Sequence, residues 1–87
     1  MTKTMLITGA SSGIGRAVAE KALATGWRVG LFARRADPLH AVAAVGEALV
    51  LPGDVTRRAE IEAAAARLVD AWGRLDVLFN NAGIFTP

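Results

Sequence analysis

The residues best suited to chemistry in this sequence gather at three places. In TGASSGIG (Thr8 to Gly15), glycines stand at 9, 13 and 15 and hydroxyls at Ser11 and Ser12, directly after the apolar run Met5-Leu6-Ile7. Glycines spaced in this way serve tight turns and close approach of backbone to a neighbour. Where such a loop leads from a strand into a helix, several unpaired N–H groups lie beside the positive end of the helix dipole, which suits a phosphate. Gly9 then permits the turn, Gly13 lets a pyrophosphate approach the backbone, and Gly15 lets the helix pack closely on the sheet. Ser11 and Ser12 add hydroxyl donors, and Ile14 belongs to the same loop. The competing reading is a tight turn with no ligand.

The second place is Arg34-Arg35, roughly 20 positions beyond the glycines, where dinucleotide folds set the choice of cofactor. An acidic residue there accepts hydrogen bonds from ribose hydroxyls, whereas a guanidinium forks onto the oxygens of a 2′-phosphate. Arg34, with Arg35 behind it, therefore points to NADP(H) (NADPH) over NAD(H), against the alternative that both arginines decorate a solvent-facing edge. The third place pairs Asp54-Val55 with Asn80-Asn81-Ala82-Gly83.

Other chemistries find little support. The chain has no cysteine and one histidine, His40, which excludes disulfides and gives no familiar zinc site. Cysteine-free composition is compatible with a reducing cytoplasm, the expected location. Glu60 and Glu62 read as the polar face of a helix with Arg57 and Arg58 on the preceding turn, so no paired-carboxylate site is implied. Trp27 and Trp72 read as hydrophobic cover at element ends. Ten Lys and Arg against eight Asp and Glu leave a net charge of +2, too small to argue for nucleic acid, and no nucleic-acid-reading motif accompanies it. The opening apolar run is too short for a signal-peptide core or a membrane span.

These residues need elements to hold them. Met5 to Thr8 reads as a strand, and Ile14, Ala17, Val18 and Ala22 recur at helical spacing up to Ala24, with Gly26 as the stop. Arg28 to Ala33 is a second buried strand. Asp37-Pro38 is a helix-start signature for a second helix ending near Gly46. Ala48 to Leu51 is a third strand, closed by Pro52-Gly53. Thr56 is placed to cap a long helix whose buried stripe is Ile61, Ala64, Leu68, Val69 and Trp72, ended by Gly73. Asp76 to Phe79 is the fourth strand.

The pattern β-α-β-α-β-α-β implies an α/β class with right-handed crossovers, a Rossmann-type doubly wound parallel sheet of order 3-2-1-4. Its topological switch point lies between strands one and four, with TGASSGIG on one side of the crevice and NNAG on the other. With 53% hydrophobic but only 6% aromatic residues, the core rests on Ala, Val, Leu and Ile.

The literal G-x-G-x-x-G fingerprint fails, because Val18 stands where its last small residue would fall, and no G-K-[ST] supports an NTPase loop. The pattern present is T-G-x-x-x-G-x-G. Together with Asp54-Val55 and Asn80-Asn81-Ala82-Gly83 it resembles the short-chain dehydrogenase/reductase family over essentially the whole chain. The resemblance implies that Asp54 accepts the adenine amino group, that Val55 supplies a backbone contact, and that Asn81, Ala82 and Gly83 line the adenosine half of the cleft. Asp54 has an alternative as a turn residue after Pro52-Gly53. Asn80 reads as structural, its amide satisfying backbone groups between strands. Where relatives using NADP(H) often carry a second basic residue just before the middle glycine, this chain has Ser12.

Family members reduce carbonyls or oxidise alcohols with a Ser and a Tyr-x-x-x-Lys. This chain has no tyrosine, and Lys3 and Lys21 lie in the wrong context, so no catalytic residue is assigned and the chain alone is expected to be inactive. Residues 1–87 are expected to form the N-terminal half of a dinucleotide-binding domain, one face of its sheet under-covered and strand four carrying a free edge. That leads to the expectation of a longer reductase or a homo-oligomer, with a non-catalytic nucleotide-binding module as the other possibility.

Overall fold

Period-two alternation of apolar side chains sorts the strands between two faces of one sheet. The computed structural model describes residues 2–9, 13–35, 37–44 and 46–80. Its elements are β1 (Thr4–Thr8), α1 (Gly13–Ala24), β2 (Arg28–Ala33), α2 (Asp37–Ala43), β3 (Ala48–Pro52), α3 (Arg58–Trp72) and β4 (Val77–Asn80). All strand pairs are parallel, in the order β3-β2-β1-β4, as the alternation of strands and helices predicts. β1 is paired on both edges and wholly buried.

Two cores lie back to back. On one face Met5 and Ile7 of β1 join Val29, Leu31 and Ala33 of β2, and are covered by Ala19, Ala22 and Leu23 of α1 and Leu39 and Val42 of α2. On the other, Leu6, Phe32 and Leu51 meet Ala64 and Leu68 of α3. Neighbouring strand residues thus belong to opposite cores, as the pleat requires. The first two crossover helices cover one face and α3 alone the other. Trp27 and Trp72 pack against the first and second core respectively, and His40 is exposed.

α3 approaches the sheet over a residue that the sequence analysis passed by. A Cβ on Gly30 would lie 2.7 Å from Leu68 Cδ1 and 3.1 Å from the Cδ1 atoms of Leu51 and Leu6. The missing side chain is the space into which three leucines from β1, β3 and α3 converge.

Several boundaries shift for identifiable reasons. β1 starts at Thr4, one residue early, because Thr4 is tied to the far end of the chain: its N–H donates to Asp76 Oδ2 (2.8 Å) and its hydroxyl to the Arg74 carbonyl (2.6 Å). Asp76, also paired with Arg74, acts as this anchor, and the fourth strand begins at Val77. β3 runs one residue further, through Pro52, tolerated because β3 is an edge strand. α2 stops at Ala43, short of Gly46.

Thr56 does not cap α3. The residue before the helix is Arg57, in extended conformation with no side-chain cap, while Thr56 donates through both N–H (2.9 Å) and hydroxyl (2.7 Å) to Asp54 Oδ1. The local Asx turn holds the threonine that the helix would otherwise use. Ile14 and Val69 are also exposed, at 67% and 42%, rather than on the buried stripes. The stripe of α1 runs through Gly15, Ala19, Ala22 and Leu23, and that of α3 through Ala64 and Leu68, which leaves each of the two residues one position round the helix.

Candidate functional site

The carboxyl ends of the strands form one rim, and the positions singled out from sequence that fall on described residues are distributed along it. After β1, Gly9 has φ 70° and gives its N–H to the Phe32 carbonyl at 2.8 Å, joining the turn to the end of β2. Gly13, the first residue of α1, has φ 60°, and a Cβ there would meet nothing within 4 Å. Its requirement is therefore conformational, a left-handed backbone at the entry to the helix, and its outer side is open. Gly15 is buried. The first turn of α1 carries no acidic side chain that would oppose an anion. Ser11 and Ser12 lie outside the described residues, as do Asn81, Ala82 and Gly83.

At the end of β2, Arg34 and Arg35 are both exposed. Arg34 reaches toward the end of β3, its Nη2 lying 3.6 Å from Asp54 Oδ1. Asp54 is held at every backbone group: its N–H donates to Glu60 Oε1 at 2.7 Å, and its carbonyl accepts from the Arg57 N–H at 3.0 Å. The Thr56 hydroxyl and N–H hold its carboxyl below the ordinary carboxylate value, with the Arg34 charge adding in the same direction and burial opposing. Thr56 and Arg34 all address Oδ1. Oδ2 accepts no hydrogen bond from the described residues. Asp54 is thus a turn residue, the alternative that the sequence offered for it. Val55 is half-buried and packs on the α3 side of the sheet.

Asn80 closes the other side of the switch point. Its Oδ1 accepts the buried Thr8 hydroxyl at 2.8 Å, across the register pair Thr8↔Asn80. It joins strands, as expected, but through a side chain instead of backbone groups.

Two features of the rim are not marked by the motifs of the sequence. Glu60, read as part of a solvated face, turns back past the helix start to hold Asp54. A carboxylate at the third position of a helix is the available signal, since such residues reach back to free N–H groups. The Arg34–Asp54 pairing joins residues 20 apart and had no local signal. Among the described residues no three His, Asp or Glu side chains gather as a metal site, and no helix is long and apolar enough to cross a membrane.

The architecture agrees with known proteins. The family model for short chain dehydrogenases matches residues 3–87. The chain belongs to the short-chain dehydrogenase family. It is 44% identical over 85 residues to a sorbitol dehydrogenase of Cereibacter sphaeroides, a match covering 95% of this chain and 33% of that one. Among solved structures, a metagenomic short-chain oxidoreductase in complex with NADP superposes with TM-score 0.84 at 44% identity, over 94% of this chain and 39% of the other. The L-sorbose reductase of Gluconobacter frateurii, complexed with NADPH and L-sorbose, gives 0.86 at 34% identity, over 98% and 35%. This short-chain dehydrogenase chain spans about a third of the length of the relatives it matches.

Proposed function

We propose that the chain is the N-terminal, cofactor-binding part of an NADP(H)-dependent short-chain dehydrogenase/reductase, an oxidoreductase acting on small carbonyl or alcohol substrates. The observation that carries the cofactor choice is Arg34, whose exposed guanidinium stands at the carboxyl end of β2 where a carboxylate would select a free ribose. The NADP and NADPH complexes of the two similar structures support the same choice. In this reading the positive-φ turn at Gly9 and the entry to α1, with Ser11 and Ser12, receive the pyrophosphate, and Gly13, Ile14 and Gly15 bring the helix N-terminus up to it. Arg34, backed by Arg35, takes the 2′-phosphate. Asp54 accepts from the adenine amino group through Oδ2, Val55 contacts the base, and Asn81, Ala82 and Gly83 line the adenosine side of the cleft.

The bound cofactor supplies the hydride donor or acceptor, and the chain's own residues bind and orient it. No tyrosine stands in the chain to move the matching proton, so the 87 residues alone bind without turnover. Among the described residues β4 is an edge strand, and it and exposed Val77 and Leu78 support burial against further polypeptide or a second copy; the location proposed is the cytoplasm.

Titration of the chain with NADPH and NADH, followed by ligand fluorescence, tests the reading. NADPH is expected to bind at least about tenfold tighter, since a charge-assisted phosphate contact contributes about 1.5–3 kcal/mol. Equal affinity for the two would remove NADP(H) preference, and absence of binding by either would remove the cofactor reading.

A further inference from the structure

The loop that carries Asp54 is held from below by α3, and Glu60 makes the connection. Its Oε1 accepts the Asp54 N–H at 2.7 Å. The same oxygen lies 3.2 Å from where a Cβ on Gly53 would stand, and that Cβ would also lie 2.5 Å from the ring of buried Phe32. Glycine at 53 therefore leaves the space through which the carboxylate passes. On the outer side Glu60 Oε2 lies 3.9 Å from Arg57 Nε, the residue whose N–H holds the Asp54 carbonyl. Glu60 and Arg57 thus fix the two backbone groups of Asp54, and Thr56 fixes one carboxylate oxygen. What remains is Oδ2, which accepts no hydrogen bond from the described residues.

We propose that Glu60 is a positioning residue for nucleotide recognition: by anchoring the Asp54 N–H it aims the Asp54 carboxylate at the base, and so sets selectivity for adenine over a purine lacking the amino group. The proposal rests on the reading of Asp54 as the acceptor of the adenine amino group. A carboxylate at the third position of α3 is also favoured by the helix dipole, but any anion there would serve the dipole. Holding the Asp54 N–H requires a chain of glutamate length with an acceptor at its end. A glutamine keeps that acceptor, an aspartate keeps the charge but is shorter by one methylene, and an alanine has neither.

The test compares NADPH with its deamino analogue, in which hypoxanthine replaces adenine, on the wild-type chain and on Glu60→Gln, Glu60→Asp and Glu60→Ala. The wild type is expected to prefer NADPH about tenfold or more, the ratio appropriate to a hydrogen bond with a charged acceptor. Glu60→Gln is expected to keep that ratio, while Glu60→Asp and Glu60→Ala bring it to within about threefold of unity. A role in stability alone would weaken both ligands together and leave the ratio intact. In parallel, amide hydrogen exchange at Asp54 is expected to accelerate in Glu60→Asp with the β1 and β2 amides unchanged, a readout that needs no nucleotide and still applies if Glu60→Ala does not fold. An undiminished ratio in Glu60→Asp, or unchanged exchange at Asp54, would overturn the proposal while leaving the cofactor reading in place. A wild type that binds neither ligand, or does not discriminate between them, would overturn the Asp54 reading and the role of Glu60 with it.

Discussion

Replacing Gly30 by alanine probes how tightly α3 sits on the sheet. The new Cβ would lie 2.7 Å from Leu68 Cδ1, so that methyl must retreat by roughly 0.7 Å to reach even a tight carbon–carbon contact, and Leu51 and Leu6 must each give a few tenths of an ångström. Overpacking of this kind costs about 1–3 kcal/mol. Gly30 is not among the positive-φ glycines, so alanine also removes unfolded-state freedom, a gain of about 0.4–1 kcal/mol. The net expectation is a loss of about 1–2 kcal/mol, set against a total stability on the order of 4–13 kcal/mol for a domain of this size. Leu68→Val removes the contacted Cδ1 at a cost of about 1 kcal/mol. In that background Gly30→Ala is expected to be neutral or mildly stabilising, giving an interaction energy of about 1–2 kcal/mol between the two sites. Urea denaturation followed by far-UV circular dichroism on the four chains of the cycle measures it. Gly30→Ala costing the same in both backgrounds, within about 0.5 kcal/mol, would refute close approach at Leu68 as the reason for glycine.

Further outcomes follow from other parts of the structure. Arg34→Asp is expected to weaken NADPH at least about tenfold and to level or reverse its preference over NADH in parallel titrations, because a carboxylate repels the 2′-phosphate and accepts from ribose hydroxyls. Gly53→Ala would place its Cβ 2.5 Å from the stiff ring of Phe32, so it is expected to cost about 2–3 kcal/mol in denaturant unfolding and to disturb the Asp54 loop, with weaker NADPH binding. The Arg74 guanidinium, then the Thr4 N–H, hold the Asp76 carboxyl below the ordinary carboxylate value. A group with a depressed folded pKa stabilises the fold above its unfolded value, and that stabilisation is lost as pH falls through the carboxylate range and below it. Asp76→Asn is therefore expected to lower the thermal midpoint at neutral pH and to flatten its decline in acid, as melts from pH 7 to pH 2 would show.

Helices were legible from apolar spacing and strands from short continuous apolar runs, which arise because the sheet is buried on both faces. Met5 and Ile7 go to one core and Leu6 to the other, as Val29 and Leu31 do against Phe32, so every position of these runs is apolar or glycine. Less legible was anything decided by one side chain choosing between two partners. Thr56 was a reasonable helix cap, but its hydroxyl and N–H turn to Asp54 and the helix starts one residue later, after Arg57. Ile14 and Val69 satisfied helical spacing yet lie just off the buried stripes, a matter of helix rotation that apolar counting does not resolve. Gly30 was invisible as a packing device, since its reason lies in three leucines distant in the chain. At the rim, residue types at Arg34 and Asp54 were readable, but their mutual approach and the hold of Glu60 on Asp54 depend on how β2, β3 and α3 come together.

The strand order has a consequence for how the molecule assembles. β1 joins β2 through pairs such as Thr4↔Arg28, whereas its other edge waits for β4, with Met5↔Val77 as the first pair. The loop closed by the second event is about three times as long, which adds roughly 1 kcal/mol of closure entropy to it. During synthesis β1, β2 and β3 emerge first and can condense with α1 and α2, while β1 keeps one bare edge until β4 arrives. The Thr4, Arg74 and Asp76 contacts then act as a late latch, closing a gap of 72 residues. Until they form, a strand that ends up wholly buried is open to pairing with a neighbouring chain, so slow arrival of β4 lengthens the window for aggregation.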